Sequence, residues 1–404
     1  MKICILTQYF PPEVGAPQNR LYELAVRLVK LGVEVDVLTA MPNYPQMKIY
    51  DGYVGKRFVQ EEVEGLRIFR SSIYIPKSKG IVERLKNYFS FVWSSYKIGK
   101  SKLDKSYDFV FCESPPLFLG MSGLALARNK KAKFVFNVSD LWPESAEKLD
   151  IVSNKFFLGM AYKLEAFLYR KSTFITGQTQ GIVENIKVRF PKSTCYWLPN
   201  GVDLEYYKPI KASEESLFPG RKFVALYAGI IGLAQGLEII LKAAERLQDQ
   251  KDLGFVLLGE GPVKEKLQSM AKSMQLDNVL FLPAVGKDKM PEILSKISCA
   301  VVPLRKLPLF EGAIPSKIFE NMAMQIPVVL GVDGEARKLF VEQGKAALYF
   351  EPENDEALAL QLKNLMENSG LCEDLGVNGR NFVAENFNRN QLANNLYEWF
   401  LAHK

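Results

Sequence analysis

Histidine is almost missing from this 404-residue chain; the single example, His403, is the penultimate residue. With no histidine in the body of the chain there can be no Ser-His-Asp triad, no HExxH metal helix and no histidine-held iron. Cysteine is sparse as well. Cys4, Cys112, Cys195, Cys299 and Cys372 are scattered, odd in number and free of any CxxC pair, so reduced cytosolic thiols and no zinc site are expected. Long apolar runs are lacking. The uncharged stretch 114–127 has 14 residues and is broken by Pro115, Pro116, Gly120 and Gly123, whereas crossing a bilayer takes about 20 apolar residues. Met1-Lys2 leads directly into Ile3-Cys4-Ile5-Leu6, followed by Gln8 and Pro11-Pro12, which reads as a buried first strand and not as a secretion signal. A strong charge of one sign is absent too: 52 basic against 45 acidic residues leave +7, too mild to indicate a nucleic-acid partner.

What is present is an ordinary globular composition, 48% apolar and 24% charged, in a chain long enough for two or three domains. Short β-rich runs alternate with helical stretches, the pattern of parallel sheets covered by helices on both faces. Strands are expected at 3–7, 34–39, 109–112, 134–138 and 174–177. The same grammar restarts at 223–229, 255–259, 279–281, 300–303 and 328–330. Helices are expected at about 18–31, with Leu21, Leu24, Ala25 and Leu28 on one face and Gly32 as the stop, and at 236–248 and 262–274. This divides the chain into a first α/β domain over 1–198, a linker over 199–222 rich in proline, glycine and charge, and a second α/β domain over 223–375. Helices over 376–404 are expected to pack back on the first domain. Two such sheets facing each other would put a ligand cleft at the carboxyl ends of their strands.

The segment richest in chemistry is Phe310-Glu311-Gly312-Ala313-Ile314-Pro315-Ser316-Lys317-Ile318-Phe319-Glu320. With Ser316 or a neighbour at the cap, the N–H groups of Gly312, Ala313, Ile314 and Ser316 would point at an anion. Lys317 puts a cation at a helix end that is already positive, which is unfavourable unless a phosphate is bound there. Glu320, one turn on, is placed to accept hydrogen bonds from sugar hydroxyls; an exposed Lys/Glu pair on an amphipathic helix is the plainer alternative. Glycine turns follow two strands of the second half, at Gly229 to Gly236, which includes Gly232, and at Gly259-Glu260-Gly261, the geometry that brings a backbone close to a diphosphate. There is neither a GxxxxGK[ST] nor a GxGxxG pattern. The nearest DxD-like carboxylates, Asp203-Leu204-Glu205, fall in the linker, so no metal is expected.

Further stretches extend the pattern: Gln8-Tyr9-Phe10-Pro11-Pro12-Glu13, Gly15 to Arg20, Leu38-Thr39-Ala40-Met41-Pro42-Asn43-Tyr44-Pro45, Asp140-Leu141-Trp142-Pro143-Glu144 and Leu198-Pro199-Asn200-Gly201-Val202-Asp203. Together with Pro315-Ser316-Lys317, Glu320 and Pro327-Val328-Val329, they make the chain resemble the retaining GT-B glycosyltransferases of family four. Within that family it is similar to the bacterial polysaccharide branch that includes N-acetylfucosaminyl transferases. The resemblance implies two Rossmann-like domains and transfer of a sugar from a UDP-sugar without a metal or other cofactor. By it, Lys317 holds the diphosphate, Glu320 the ribose, Gly261 lies near the nucleoside, and Gly15 approaches the donor phosphates. Arg305 and Gly232 complete the donor set, Asp140 lies near the reacting sugar, and Glu13, Arg20 and Asn43 serve the acceptor. The catalytic set is then Asp140, Lys317 and Glu320. Three positions depart from the family: Ser139 stands where many relatives carry histidine, Gly312 where the first glutamate of an E-x7-E pair belongs, and Ile230 and Gln235 where a basic pair is common.

Residues 76–105 carry Lys77, Lys79, Arg84, Lys86, Lys97, Lys100, Lys102 and Lys105 against Glu83 and Asp104, interleaved with Tyr88, Phe89, Phe91, Trp93 and Tyr96. A basic helix with aromatic residues suits an anionic membrane surface; a core helix with a charged wet face is the alternative. The sequence thus points to a peripheral enzyme on the cytoplasmic face of the membrane, glycosylating a lipid-linked saccharide. A transferase with a soluble acceptor and a catalytically silent nucleotide-sugar-binding subunit are the alternatives.

Overall fold

Parallel strands buried on both faces are written as unbroken apolar runs, and Ile3-Cys4-Ile5-Leu6, Phe109-Val110-Phe111-Cys112 and Phe255-Val256-Leu257-Leu258 are all buried in the computed structural model. The structure describes all residues except 14, 79, 150–151, 153 and 211–215. Lys79 of the basic segment and residues 211–215 of the expected linker therefore lie outside the described residues.

The strands are β1 (Lys2–Leu6), β2 (Glu34–Ala40), β3 (Phe58–Val63), β4 (Leu66–Ser71), β5 (Phe109–Ser114), β6 (Lys133–Val138), β7 (Phe174–Gly177) and β8 (Cys195–Trp197), then β9 (Phe223–Ala228), β10 (Leu253–Leu258), β11 (Val279–Leu282), β12 (Cys299–Pro303), β13 (Val328–Gly331) and β14 (Ala347–Tyr349). The helices are α1 (Ala16–Lys30), α2 (Ile81–Lys102), α3 (Leu119–Asn129), α4 (Glu144–Lys148), α5 (Lys155–Lys171), α6 (Gln180–Arg189) and α7 (Glu238–Arg246), then α8 (Lys264–Ser273), α9 (Met290–Leu294), α10 (Lys317–Ala323), α11 (Glu335–Arg337), α12 (Asp355–Glu367), α13 (Ser369–Asn386) and α14 (Arg389–Ala402).

The first eight strands form one sheet in the order β3-β4-β2-β1-β5-β6-β7-β8, parallel apart from the β3–β4 hairpin. The last six form a parallel sheet in the order β11-β10-β9-β12-β13-β14. Each sheet reverses its strand order once, beside β1 in the first and beside β9 in the second. In open α/β sheets that switch point, at the carboxyl ends of the strands, is where ligands bind. Both units are Rossmann-like.

The edge hairpin was not legible from apolar runs, because β3 carries Gln60, Glu61 and Glu62; its turn is marked only by Glu64 and Gly65, both at positive φ. The short strands β8 and β14 escaped for want of length. The domain boundaries also shift. The compact units are 1–200 with 389–404, and 201–388, so most of the expected linker belongs to the second unit, where Arg380 donates to the carbonyl of the buried Tyr207 at 3.2 Å. The expected return at 376 falls inside α13, which stays with the second unit; a Cβ on Gly376 would stand 2.3 Å from the Gln325 carbonyl oxygen, so only glycine lets the helix lie this close. Only α14 rejoins the first unit, where Phe400 stacks on Phe109 of β5 with ring centroids 4.4 Å apart.

Candidate active site

In the C-terminal unit three strand ends meet. Gly229 follows β9 with φ 140° and Gly259 follows β10 with φ 152°, and a Cβ on Gly259 would stand 1.8 Å from the Gly229 carbonyl oxygen. The two turns are laced together: Gly229 N–H donates to the Leu258 carbonyl and Ile231 N–H to the Glu260 carbonyl, each at 2.9 Å. Gly261 is pressed against the Ile231 carbonyl, and Gly232 opens the short turn that follows. Beyond β12, the Arg305 N–H donates to the Ala234 carbonyl at 2.9 Å, while its exposed side chain faces Glu353 at 3.9 Å. The result is a floor of bare backbone.

Lys317, the first residue of α10, is set against this floor. Its ammonium lies 3.8 Å from the centroid of the Tyr227 ring and 3.0 Å from where a Cβ of Gly229 would be. Tyr227 is itself fixed, its hydroxyl donating to the Ile230 carbonyl at 2.6 Å. Burial pushes the Lys317 pKa down to about 7, with the nearby Glu320 pulling the other way. Such a cation is poised for an anion. The structure thus brings Gly232, Gly259, Gly261, Arg305, Lys317 and Glu320 into one unit, and gives Tyr227 a place under the Lys317 ammonium. Ser316 precedes α10 without a side-chain cap bond. The N–H of Ala313 is already spent on the Phe310 carbonyl at 3.0 Å, so the expected run of free donors from Gly312 through Ile314 to Ser316 is interrupted.

In the N-terminal unit the expected acceptor residues are braces. Glu13 is only 2% exposed and its carboxylate accepts the backbone N–H groups of Phe10 at 3.1 Å, Asn43 at 2.7 Å and Tyr44 at 2.8 Å. It fastens the loop after β1 to the loop after β2; burial raises its pKa and those three bonds restrain the rise. Asn43 is buried with it, its amide on the Met41 carbonyl. Arg20 is 6% exposed and donates to Glu113 at 2.7 Å and Ser139 at 2.8 Å. Glu13, Arg20 and Asn43 thus hold the N-terminal unit's loops together, while Arg20 Nε and Nη1 and Asn43 Oδ1 have no partner among the described residues. Gly15 stands just before α1, in extended backbone over Gln18.

Sequence reading missed the centre of this network. Glu113, at the end of β5, accepts Arg20, the Ser139 hydroxyl and the Asn137 amide; the Asn137 carbonyl in turn accepts Thr176 at 2.5 Å. A carboxylate closing the apolar run Phe109-Val110-Phe111-Cys112 beside the switch point was the available signal. Ser139 leads into Asp140, which is half-buried and accepts the Ser145 hydroxyl at 2.7 Å. Burial raises the Asp140 pKa against the bonds from Ser145 and the Leu141 N–H. The capping position of α4 is Pro143, so Asp140 is not its cap. Asp203 of the DxD-like triplet accepts the N–H groups of Glu205 and Tyr206, closing a turn.

Residues 15–201 match the family described as glycosyl transferase 4-like domain, and residues 210–382 that of glycosyl transferases group 1. The chain belongs to the glycosyltransferase group 1 family. It is 26% identical over 378 residues to the putative colanic acid biosynthesis glycosyl transferase WcaI of Escherichia coli, covering 91% of this chain and 92% of that one. It is 28% identical over 223 residues to a Campylobacter jejuni N-acetylgalactosaminyltransferase whose name specifies a diphospho-undecaprenol acceptor, with 54% and 55% of the two chains covered. Among solved structures, a sucrose-phosphate synthase from Thermosynechococcus elongatus superposes with a TM-score of 0.77 at 18% identity, covering both chains fully. Anabaena HepE, solved in complex with UDP-glucose, gives 0.70 at 15% identity, again with full coverage of both chains. The fold is that of the GT-B transferases, and bacterial relatives of this group 1 transferase include two named for colanic acid biosynthesis.

For this family member, Asp140→Asn is expected to lower turnover severely while donor affinity is largely kept. Loss of a merely structural bond would instead cost about 1 kcal/mol of stability with normal turnover. Melting temperature and kcat measured on one preparation separate the two outcomes.

Proposed function

We propose that this transferase is retaining and metal-independent, and moves an N-acetylated deoxyamino sugar such as N-acetylfucosamine from a UDP-sugar to a saccharide carried on undecaprenyl diphosphate, in capsule or O-antigen synthesis. The observation that carries the reading is Lys317 at the head of α10, its ammonium set on Tyr227 beside the bare backbone at Gly229. A UDP leaving group departs when its growing charge is neutralised, and a fixed cation plus backbone donors can do so without a general acid. The leaving phosphate then takes the acceptor's proton on the same face, so no histidine base is needed. Neighbours of the same fold crystallised with UDP, and the undecaprenol diphosphate named for the Campylobacter relative, support the same donor and acceptor classes. Purified protein tested against a panel of nucleotide sugars should show a higher melting temperature with one UDP-sugar, and transfer with retained anomeric configuration in the presence of EDTA. Binding without hydrolysis or transfer from any donor would favour the silent-subunit alternative.

Association with the inner membrane face is part of the proposal. The buried stripe of α2 is Asn87, Phe91, Ser95 and Gly99, while Phe89 is 44% and Trp93 72% exposed on its other side. On α5, Phe156 is 80% exposed, and Met160 and Phe167 share its outer face with Lys155, Lys163, Arg170 and Lys171. Phe118 joins the helices, 4.9 Å from Phe89 and 6.3 Å from Phe157. Apolar residues fringed by lysine and arginine suit an anionic bilayer surface, and no helix, among the described residues, is long and apolar enough to cross one. Replacing Lys97, Lys100, Lys102 and Lys105 by Gln should release the protein from anionic vesicles, at about 1 kcal/mol per charge, and raised salt should partly mimic this. Flotation insensitive to both would reject the surface.

A further inference from the structure

A concavity of about 500 Å³ opens in the N-terminal unit between the β3–β4 hairpin, the Pro11-Pro12 corner after β1, and Tyr22 of α1. That volume is within the roughly 300–1,000 Å³ of ordinary small-molecule sites. Its lining is unusual for an accidental gap. Glu61 of β3 holds two neighbours at once, accepting the Tyr53 hydroxyl at 2.6 Å and the Arg70 Nε at 2.7 Å, and the Arg70 guanidinium lies 5.4 Å from the centre of the Tyr53 ring. Arg70 is 2% exposed, and its Nη2 donates to the Pro11 carbonyl. Its Nη1 has no partner among the described residues, a buried donor left for something that enters. Glu62 stands exposed at the rim.

We propose that this concavity binds a neutral saccharide: the part of the acceptor lying beyond its reacting residue. Tyr22 and Tyr53 in the lining supply the aromatic surface on which a pyranose packs. Carboxylates accept its hydroxyls in charge-assisted bonds, and the spare Arg70 donor meets a ring or hydroxyl oxygen. Glu61 and Glu62 against Arg70 leave one net negative charge, which disfavours uronates and phosphates. Because Glu61 already fixes Tyr53 and Arg70, little ordering is required when a ligand enters. One wall is the loop held by Glu13, so the site is continuous with the carboxyl end of β1. The role as an acceptor site rests on the transferase reading; the binding itself does not.

The test is saturation-transfer NMR on the full chain without donor, using N,N′-diacetylchitobiose, cellobiose and lactose. At least one should receive saturation, and Tyr53→Ala or Glu62→Arg should weaken its binding about tenfold or more, the expectation for losing a hydrogen bond to a charged group. Glu62 is exposed, so its replacement leaves the fold, checked by melting temperature, unchanged. No signal from any of the three, or binding indifferent to both variants, overturns the proposal. Hydrolysis of UDP-sugar by the wild-type chain reports the transferase reading separately: saccharide binding without hydrolysis would sink that reading and keep the site, and hydrolysis without saccharide binding would do the opposite.

Discussion

Lys317→Ala should nearly abolish sugar transfer while leaving the protein folded. A fixed donor that meets charge developing on the leaving group contributes about 3–4 kcal/mol to the transition state, or a hundredfold to a thousandfold in rate. The lysine contributes nothing comparable to stability. It lies at the positive end of α10 and over a tyrosine ring, and burial has driven its pKa from an ordinary 10.5 down to about 7. Between pH 7 and 10.5 the unfolded chain holds a proton there that the folded chain does not, so this residue's burial cost is greatest below pH 7 and fades as pH rises. Removing it should leave the melting temperature of the free protein level or slightly higher at pH 6. Binding of UDP has the reverse dependence. The diphosphate restores the ammonium, so complex formation above pH 7 takes up close to one proton, and affinity falls by up to about tenfold per pH unit. Calorimetry in buffers of different ionisation enthalpy measures that uptake. Transfer within about threefold of wild type, or proton-neutral binding at pH 8, would remove Lys317 from the diphosphate site.

Glu113→Ala should be the most destabilising single change in the N-terminal unit. Glu113 and Arg20 have side chains 4% and 7% exposed and are paired at 2.7 Å. Deleting one partner leaves a buried guanidinium uncompensated, at a cost of roughly 3–5 kcal/mol. The hydroxyl of Ser139 and the amide of Asn137 lose their acceptor as well. For a unit of this size the melting temperature of its transition should fall by roughly 10 °C. Replacing both Arg20 and Glu113 by apolar residues of similar volume should recover much of that loss, since neither charge is then stranded. Donor affinity in the C-terminal unit should be untouched. A drop of less than about 1 kcal/mol for Glu113→Ala would mean that water reaches Arg20 freely.

The two sheets, their strand sequence and the position of α10 were legible in the chain because each depends on local pattern. Apolar runs mark strands buried on both faces, Gly32 marks a helix stop, and Gly229 and Gly259 mark turns that side-chain-bearing residues cannot make. The edge hairpin was not legible, because an edge strand half in water can carry Glu61 and Glu62, and its polar pattern is that of a loop. The internal bonds of Glu13, Arg20 and Asn43 were not legible either: a motif fixes where a polar residue falls along the chain, not which distant neighbours it will hold.

By itself, then, the sequence determined a two-part α/β protein with a lysine heading the helix after β12, since near-neighbour chemistry decides those features; glycosyl transfer entered through the resemblance of its motifs to a family. Tertiary structure alone decided that Tyr227 and the Gly229 turn meet Lys317, and that Glu113 gathers Arg20, Asn137 and Ser139. It also decided that Arg70 is left with a spare donor beside a concavity. The contacts of Lys317 and Glu113 join residues 24 to 93 positions apart, and burial, which sets both the Lys317 pKa and the cost of stranding Arg20, depends on everything packed around a group and not on its neighbours in the chain.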